Sequence, residues 1–151
     1  MPISLNLPGT AERVERHTPD HVNERIYSDM RRRVAECYAL SDEEIDARIL
    51  ELEREWDIER TLEANASTVI LTGLALGTLA NRKWYALSAL AAGFLLQHAI
   101  QGWCPPLSFF RRRGVRTARE IYEEITALRA LRGDFGEPED IEAALERAVL
   151  H

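Results

Sequence analysis

Two long stretches without a charged side chain constrain the fold of this chain more than any other feature. Residues 64–80 form an uncharged run of 17 residues, and residues 84–103 form a second run of 20. At a rise of about 1.5 Å per residue, helices of these lengths cover about 25 and 30 Å, against about 30 Å for the hydrocarbon core of a bilayer. Only residues 81–83 separate the two runs. The sequence therefore predicts a transmembrane helical hairpin with a tight turn over residues 64–104.

A soluble bundle with two core helices is the alternative to a membrane hairpin. A core helix in a small soluble domain usually keeps a polar stripe along one side. The second uncharged run instead has few polar groups, mostly near one end: Ser88, Gln97, His98 and Gln101. Trp84 and Trp103 bracket this run, and indole rings favour the interface between lipid and water. The membrane interpretation is the favoured one, with the lipid bilayer as the first partner.

Amphipathic helices are expected on both sides of the hairpin, so the predicted fold class is all-α. Residues 1–18 are expected to form an irregular N-terminal tail, and residues 19–63 a cytoplasmic amphipathic helical segment. Residues 105–151 are expected to form a basic juxtamembrane segment followed by C-terminal helices. The predicted architecture is a two-span transmembrane helical hairpin flanked by amphipathic cytoplasmic helices.

The segment before the hairpin carries two apolar stripes at helical spacing. Thr18 and Pro19 suit the cap and the first position of a helix. The helix that they begin is expected to run to Ala39, with an apolar stripe of Val22, Ile26, Met30, Val34 and Cys37.

A second helix is expected to begin after Ser41, which forms a possible capping box with Glu44. Its apolar stripe consists of Ile45, Ile49, Leu52 and Trp56. No proline or glycine interrupts the pattern, so we expect this helix to continue through Leu62 toward the membrane.

The segment after the hairpin also has helix signals. Cys104, Pro105 and Pro106 are expected to end the second span. Thr117 and Glu120 form another possible capping box, which precedes a stripe of Ile121, Ile125, Leu128 and Leu131. A last short helix is expected to begin at Pro138 and to carry Ile141, Leu145 and Val149.

The distribution of basic residues predicts the orientation of the hairpin. The turn contributes Arg82 and Lys83, whereas the flanks contribute eight arginines: Arg48, Arg54, Arg60, Arg111, Arg112, Arg113, Arg116 and Arg119. Because basic residues concentrate on the cytoplasmic side of membrane proteins, both termini are expected in the cytoplasm. Five side chains at the ends of the second span are predicted membrane anchors: Trp84, Trp103, Arg111, Arg112 and Arg113.

Small residues within the two spans predict close helix packing. Gly73 and Gly77 form a Gly-x-x-x-Gly pair, and Ala89 and Gly93 give the second span a small-residue face. Small residues allow the backbones of membrane helices to approach each other closely. The glycine pair predicts either the contact between the two helices of one hairpin, which is favoured, or a homodimer through Gly73 and Gly77.

Composition excludes several functional classes. The net charge is −6, from 25 acidic and 19 basic residues, so no basic face for nucleic acid is expected. Two cysteines 67 positions apart exclude a disulfide framework and a cysteine zinc cluster. His17 and His21 have a helical spacing that metals accept, but no third ligand is evident, and neither a metal nor a cofactor is predicted. Residues 1–10 do not have the pattern of a secretory signal.

Two side chains are candidate functional residues. Cys104 lies at the expected membrane edge close to Arg111, and a nearby positive charge favours the reactive thiolate form of a cysteine. The alternative role of Cys104 is a small apolar residue at the end of a span. His98 lies within the second span, where ionisable groups are functional candidates, although it is close enough to the interface to reach water.

The hairpin region resembles the YgaP-like inner-membrane transmembrane domain, a bacterial domain family of unknown function. The resemblance covers residues 63–117 and rests on four features: the start Glu63-Ala64-Asn65-Ala66, the span with Gly73 and Gly77, the short basic turn, and the ending Gln101-Gly102-Trp103-Cys104-Pro105. It extends to the flanks His17-Thr18-Pro19, Val22-Asn23 and Ala130-Leu131-Arg132-Gly133-Asp134-Phe135. It implies a location in the bacterial inner membrane and a hairpin architecture.

The resemblance does not imply a reaction. The namesake of the family joins such a hairpin to a rhodanese domain, whose cysteine is cradled by backbone amides. Cys37, the cysteine outside the hairpin, lies instead in a helical stripe and is followed by Tyr38. We therefore expect a small inner-membrane protein without a catalytic site, which acts as a membrane scaffold or partner-binding module. The alternatives are an oligomeric transporter or channel for a small solute, and a sulfur-transfer or redox accessory that uses Cys104.

Overall fold

The regular structure in the described part of the chain is entirely helical, which confirms the predicted all-α class. The computed structural model describes Gly9, residues 11–135, Ile141, Glu142 and Leu145. Within these residues the helices are α1 (Arg13–Arg16), α2 (Asp20–Cys37), α3 (Asp42–Arg54), α4 (Ile58–Leu79), α5 (Tyr85–Gln101), α6 (Pro105–Arg112) and α7 (Ala118–Leu131). A 3-10 turn, Arg82–Trp84, precedes α5.

The helices form two compact units that alternate along the chain. Unit 1 takes the described residues within 1–19 and 58–115, and unit 2 those within 20–57 and 116–151. Segments predicted as separate flanks of the hairpin therefore combine: α1 and α6 belong with the hairpin helices α4 and α5, whereas α2, α3 and α7 form unit 2.

Unit 2 is a helical bundle in which α7 packs against both α2 and α3. Its core is continuous and contains Met30, Val34, Cys37, Ile45, Ile49, Leu52, Ile121, Ile125, Ala127, Leu128, Ala130, Leu131 and Leu145, with Ile141 packed against it. The apolar stripes predicted for α2, α3 and α7 supply most of this core. Pro138 and Val149, which belong to the last predicted helix, lie outside the described residues.

Both predicted capping boxes are present in unit 2. The Ser41 hydroxyl accepts a hydrogen bond from the backbone N–H of Glu44, whose carboxylate accepts from the backbone N–H of Ser41 at 2.9 Å. Thr117 and Glu120 make the same reciprocal pair, with the carboxylate 2.7 Å from the Thr117 nitrogen. Each box satisfies amides that have no partner within the first turn of the helix, and thereby fixes where α3 and α7 begin.

The prediction of an unbroken helix through Leu62 is wrong. α3 ends at Arg54, Glu55 is extended with a ψ of 139°, and α4 begins at Ile58. The side chain of Glu55 is held by Arg116, whose Nε donates to its carboxylate at 2.8 Å. This tertiary ion pair within unit 2 accompanies the break, and Trp56 is half exposed instead of continuing the buried stripe.

The helices α4 and α5 of unit 1 pack along their length as an antiparallel hairpin. A Cβ atom added to Gly73 would lie 2.4 Å from the Ser88 Oγ, and one added to Gly77 would lie 2.6 Å from the ring of Tyr85. Ser88 donates a hydrogen bond to the carbonyl oxygen of Ile70 at 2.9 Å. The two glycines therefore lie in the contact between the two helices of one hairpin, and α5 of the same chain covers their face.

Two short helices of unit 1 differ from the sequence-based expectation. α1 lies within the predicted irregular tail, and its Val14 is buried in a small core with Ile58, Leu62, Cys104 and Leu107. α6 begins at Pro105, directly where the chain was expected only to end a span. Proline is compatible with the first turn of a helix because the amides there need no helical partner.

Candidate functional site

A buried cluster of ionisable side chains joins α1, α4 and α5 within unit 1. His98, 2% exposed, donates from Nε2 to the Glu59 carboxylate at 2.8 Å. The guanidinium of Arg13 donates to the other oxygen of Glu59 at 2.9 Å and to the carbonyl oxygen of Ala99 at 2.9 Å. One carboxylate thus holds both an imidazole and a guanidinium. The sequence pattern pointed to His98 but gave no signal for Glu59 or Arg13.

A glycine allows α1 to approach the end of α5. Gly102 ends α5 in the left-handed conformation, with φ of +76°. A Cβ atom there would lie 2.6 Å from the Cβ of Arg13 and 2.8 Å from its carbonyl carbon. Only glycine combines this conformation with so close an approach, and the approach brings Arg13 to Glu59.

The thiol of Cys104 belongs to the same cluster. Cys104 precedes α6 directly and is 3% exposed, and its side chain interacts with the His98 imidazole. The His98 Nδ1 is buried and has no hydrogen-bond partner among the described residues. In space the three side chains follow the order Cys104, His98, Glu59, which is the arrangement of a nucleophile, a base and a group that orients the base.

An apolar cavity of about 390 Å³ opens onto Cys104. Its walls come from α4, α5 and the segment of α6, and they are hydrocarbon or aromatic apart from the Cys104 thiol and the Asn65 amide: Leu62, Ala66, Val69, Leu87, Leu90, Ala91, Phe94, Leu95, Pro106, Phe109 and Phe110. Asn65 donates its amide N–H to the carbonyl oxygen of Thr61 at 2.7 Å. The Cys104 thiol is therefore the nucleophilic group of a mostly apolar cavity that is open on one side, where Val69, Leu90 and Phe109 are exposed.

The predicted membrane anchors have different surroundings. Trp84 is 45% and Trp103 37% exposed, and Arg112 and Arg113 are exposed as well, with Arg113 stacked over the ring of Phe109. Arg111, in contrast, is fully buried. It donates to the Thr18 hydroxyl and to the carbonyl oxygen of Val115, at 3.1 and 3.0 Å. The expectation that Arg111 reaches lipid head groups is therefore wrong, because its guanidinium is used inside unit 1.

Ala89 and Gly93, the small-residue face predicted for the second span, are not in the contact that Gly73 and Gly77 make between α4 and α5. Ala89 is exposed, and a Cβ atom added to Gly93 would meet no atom within 4 Å.

Most of the exposed surface of α4 and α5 is apolar. The exposed fraction is 66% for Leu71, 84% for Leu79 and 62% for Leu96. The buried residues in the uncharged parts of the two helices are small or polar: Gly73, Gly77, Ser88 and His98. This is the reverse of the pattern in a helix pair that is stable in water.

One stretch of the described residues, within Asp42–Leu79, is long and apolar enough to cross a membrane, and 17% of that stretch is buried. The segment includes α3 and α4, and its apolar part lies in α4. α5, with 17 residues, is shorter than α4, which has 22. Length and composition therefore support one membrane span, not the predicted two.

Unit 2 contains a second buried charge cluster, for which the sequence pattern gives no signal. The carboxylate of Glu124, 1% exposed, pairs with Arg33 at 2.8 Å, with Arg48 at 3.3 Å and with Arg116. Burial raises the pKa of this carboxyl, but the hydrogen bonds and charges of Arg33 and Arg116 outweigh that effect, so the pKa lies below its usual value. Glu124 and Arg116 are buried while Arg33 and Arg48 are partly exposed, and the cluster has the character of a structural ion-pair network.

Neither the metal-ligating side chains nor comparisons with known proteins assign the chain to a known class. The described residues contain no group of three or more His, Cys, Asp or Glu side chains that could hold a metal ion. The chain matches no family model, no curated protein and no solved structure. Its function must therefore be inferred from its own geometry.

Proposed function

We propose that this protein is a small integral membrane protein whose hairpin, α4 and α5, crosses the bacterial inner membrane and holds unit 2 in the cytoplasm. Unit 2 then acts as a scaffold or partner-binding module at the membrane surface. The resemblance of residues 63–117 to the YgaP-like transmembrane domain agrees with this location.

The observation that carries the proposal is the inverted burial pattern of the hairpin. Leu71, Leu79 and Leu96 point outward, whereas Gly73, Gly77 and Ser88 are in the contact between the helices. In water such a surface would be an aggregation hazard. In lipid it is favourable, because small residues allow close packing where no hydrophobic force drives helices together.

The lengths of the two helices are compatible with a thin bilayer. The uncharged part of α4 and the 17 residues of α5 each cover about 25 Å. A bilayer core of about 30 Å adapts to a shorter hydrophobic stretch by local thinning, at a modest cost. Trp84 and Trp103, both partly exposed, mark the two ends of the second helix.

A reporter fusion tests the topology. A reporter that is active only in the cytoplasm, or only outside it, is attached at Arg82 and at the C-terminus. We expect the turn outside and the C-terminus inside. Activity of both fusions on the cytoplasmic side would contradict the hairpin.

A pair of leucine substitutions tests the same proposal without a fusion. Leu71 in α4 and Leu50 in α3 are both more than half exposed. Leu71→Arg places a charge in lipid, at a cost of about 2.5–3.5 kcal/mol if it lies near the bilayer centre, so we expect less protein in the membrane fraction. Leu50→Arg, the control, places the charge in water and is expected to have no effect. Equal tolerance of both would mean that the surface of α4 meets water.

A further inference from the structure

We propose that Cys104 is an acceptor of long-chain acyl groups: its thiol takes an acyl group from a thioester donor, and the hydrocarbon tail lies in the apolar cavity of unit 1. This site goes beyond the role of membrane anchor, and its geometry belongs to unit 1 alone.

The cavity selects the chemical class of the ligand. Its walls offer leucine, valine and phenylalanine side chains, and they contain no charged residue. A ligand that fills it must be mostly hydrocarbon, since a charged group would lose its hydration without gaining a partner. A linear acyl chain has this composition.

The thiol determines how the head of the ligand reacts. Thiols attack electrophilic carbonyl carbons, and an acyl thioester offers such a carbon to a thiol without any oxidant. Redox chemistry at Cys104 would need an oxidant, whereas acyl transfer from a thioester does not.

The His98 imidazole supplies the base. When the ring is neutral, its Nε2–H donates to Glu59 and its lone pair is on Nδ1, which is buried and has no hydrogen-bond partner within the described part of the chain. Glu59 is itself held by Arg13. Glu59 is thus a positioning residue that fixes the orientation and tautomer of the ring, while Nδ1 remains available for the thiol proton.

The transfer step is balanced without a cofactor. The thiol proton passes to His98, and the sulfur electron pair forms a bond to the acyl carbonyl carbon. The bond between that carbon and the donor sulfur then breaks, and the proton passes from His98 to the leaving thiolate. The products are a thioester on Cys104 and a free donor thiol, with no change of oxidation state.

The test uses the full-length protein purified in detergent, with hexadecanoyl coenzyme A as the donor and acetyl coenzyme A for comparison. Intact-mass measurement is expected to show one acyl group, added faster from the long-chain donor and removed by hydroxylamine. Cys104→Ser is expected to abolish the adduct, whereas Cys37→Ser leaves it unchanged. No adduct, equal labelling of both cysteines, or equal rates from the two donors would overturn the proposal.

Two further variants test the cavity and the base. Ala91→Phe fills the cavity, whereas Ala89→Phe adds the same ring on the exposed side of the same helix. Only Ala91→Phe is expected to remove the preference for the long chain. His98→Gln is expected to slow acylation about 100-fold, the usual size of a lost general base. Helicity and elution volume are measured to check that each variant folds. The same preference for the long-chain donor in Ala91→Phe and Ala89→Phe, or an unchanged acylation rate in His98→Gln, would contradict the assigned geometry.

The outcome is separable from that of the membrane proposal. Acylation is measured in detergent and does not depend on which side of a membrane the turn lies. A chain with the expected topology but no adduct would refute the acyl site alone.

Discussion

A Cβ atom on Gly73 would lie 2.4 Å from the Oγ of Ser88, 3.0 Å from the Ser88 backbone nitrogen and 3.1 Å from the Trp84 carbonyl oxygen. Side chains rarely approach backbone atoms so closely, so α4 and α5 can keep this contact only with glycine at residue 73. The contact therefore limits which substitutions the hairpin tolerates.

We expect Gly73→Leu to destabilise the hairpin by about 1–3 kcal/mol, the usual cost of overpacking. The measurement is the thermal unfolding midpoint in detergent. Gly93→Leu is the matched control, because a side chain at Gly93 meets nothing within 4 Å. If both variants unfold at the same temperature, the packing of Gly73 against Ser88 does not contribute to stability.

Local sequence patterns predicted most of the helices of unit 2. The stripe Val22, Ile26, Met30 and Val34 is buried, and the capping boxes at Ser41 and Thr117 are present. Such features depend on residues three or four positions apart, and these distances can be read from a sequence.

Tertiary contacts between distant residues were not predictable in the same way. Glu124 lies on a helix with many other charges, and its partners Arg33, Arg48 and Arg116 are spread over 84 positions. The pairing of Glu59 with His98 likewise depends on the register of α4 against α5. The helix α6 was missed because Pro105 and Pro106 were interpreted as the end of a helix, although proline also suits a first turn.

Glu124→Gln is expected to destabilise unit 2 by about 1–3 kcal/mol. Removal of the carboxylate charge takes a shared counterion from Arg33, Arg48 and the buried Arg116, although Arg116 keeps its ion pair with Glu55, and weakened hydrogen bonding of buried charged groups has a cost of this size. The measurement is the free energy of unfolding from a denaturant titration. Glu53→Gln, the control, removes an exposed partner of Arg129 and should change stability by less than about 1 kcal/mol. If both substitutions change the free energy of unfolding by a similarly small amount, the buried ion pairs of Glu124 do not contribute more to stability than an exposed one.

Acid is expected to weaken unit 2 through the same carboxylate. The pKa of Glu124 is lowered in the folded protein from an ordinary 4.5. At pH values near and below 4.5, the folded state therefore binds fewer protons at this carboxyl than the unfolded state does. Its contribution to stability is therefore complete above about pH 4.5 and is lost as the pH falls through the folded pKa. Hydrogen exchange of peptides from α2 and α7, measured between pH 6 and pH 3 and corrected for intrinsic rates, should show this loss. The slope with pH should be smaller in Glu124→Gln, and equal slopes would contradict the assignment to Glu124.

Gly102 and Gly114 are both in the left-handed conformation, but only Gly102 is in close contact with another helix, so alanine variants of the two distinguish the cost of backbone strain from the cost of the contact. Gly102→Ala is expected to cost more than Gly114→Ala, although φ is +76° at Gly102 and +87° at Gly114. Each variant has the conformational cost of a left-handed alanine, about 1–2 kcal/mol. Only at residue 102 does the new methyl group also meet the backbone and Cβ of Arg13, at 2.8 and 2.6 Å, so that α1 must move and Arg13 must leave Glu59. Unfolding midpoints of the two variants, measured in the same detergent, give the comparison, and equal losses would mean that α1 is not held against Gly102 in solution.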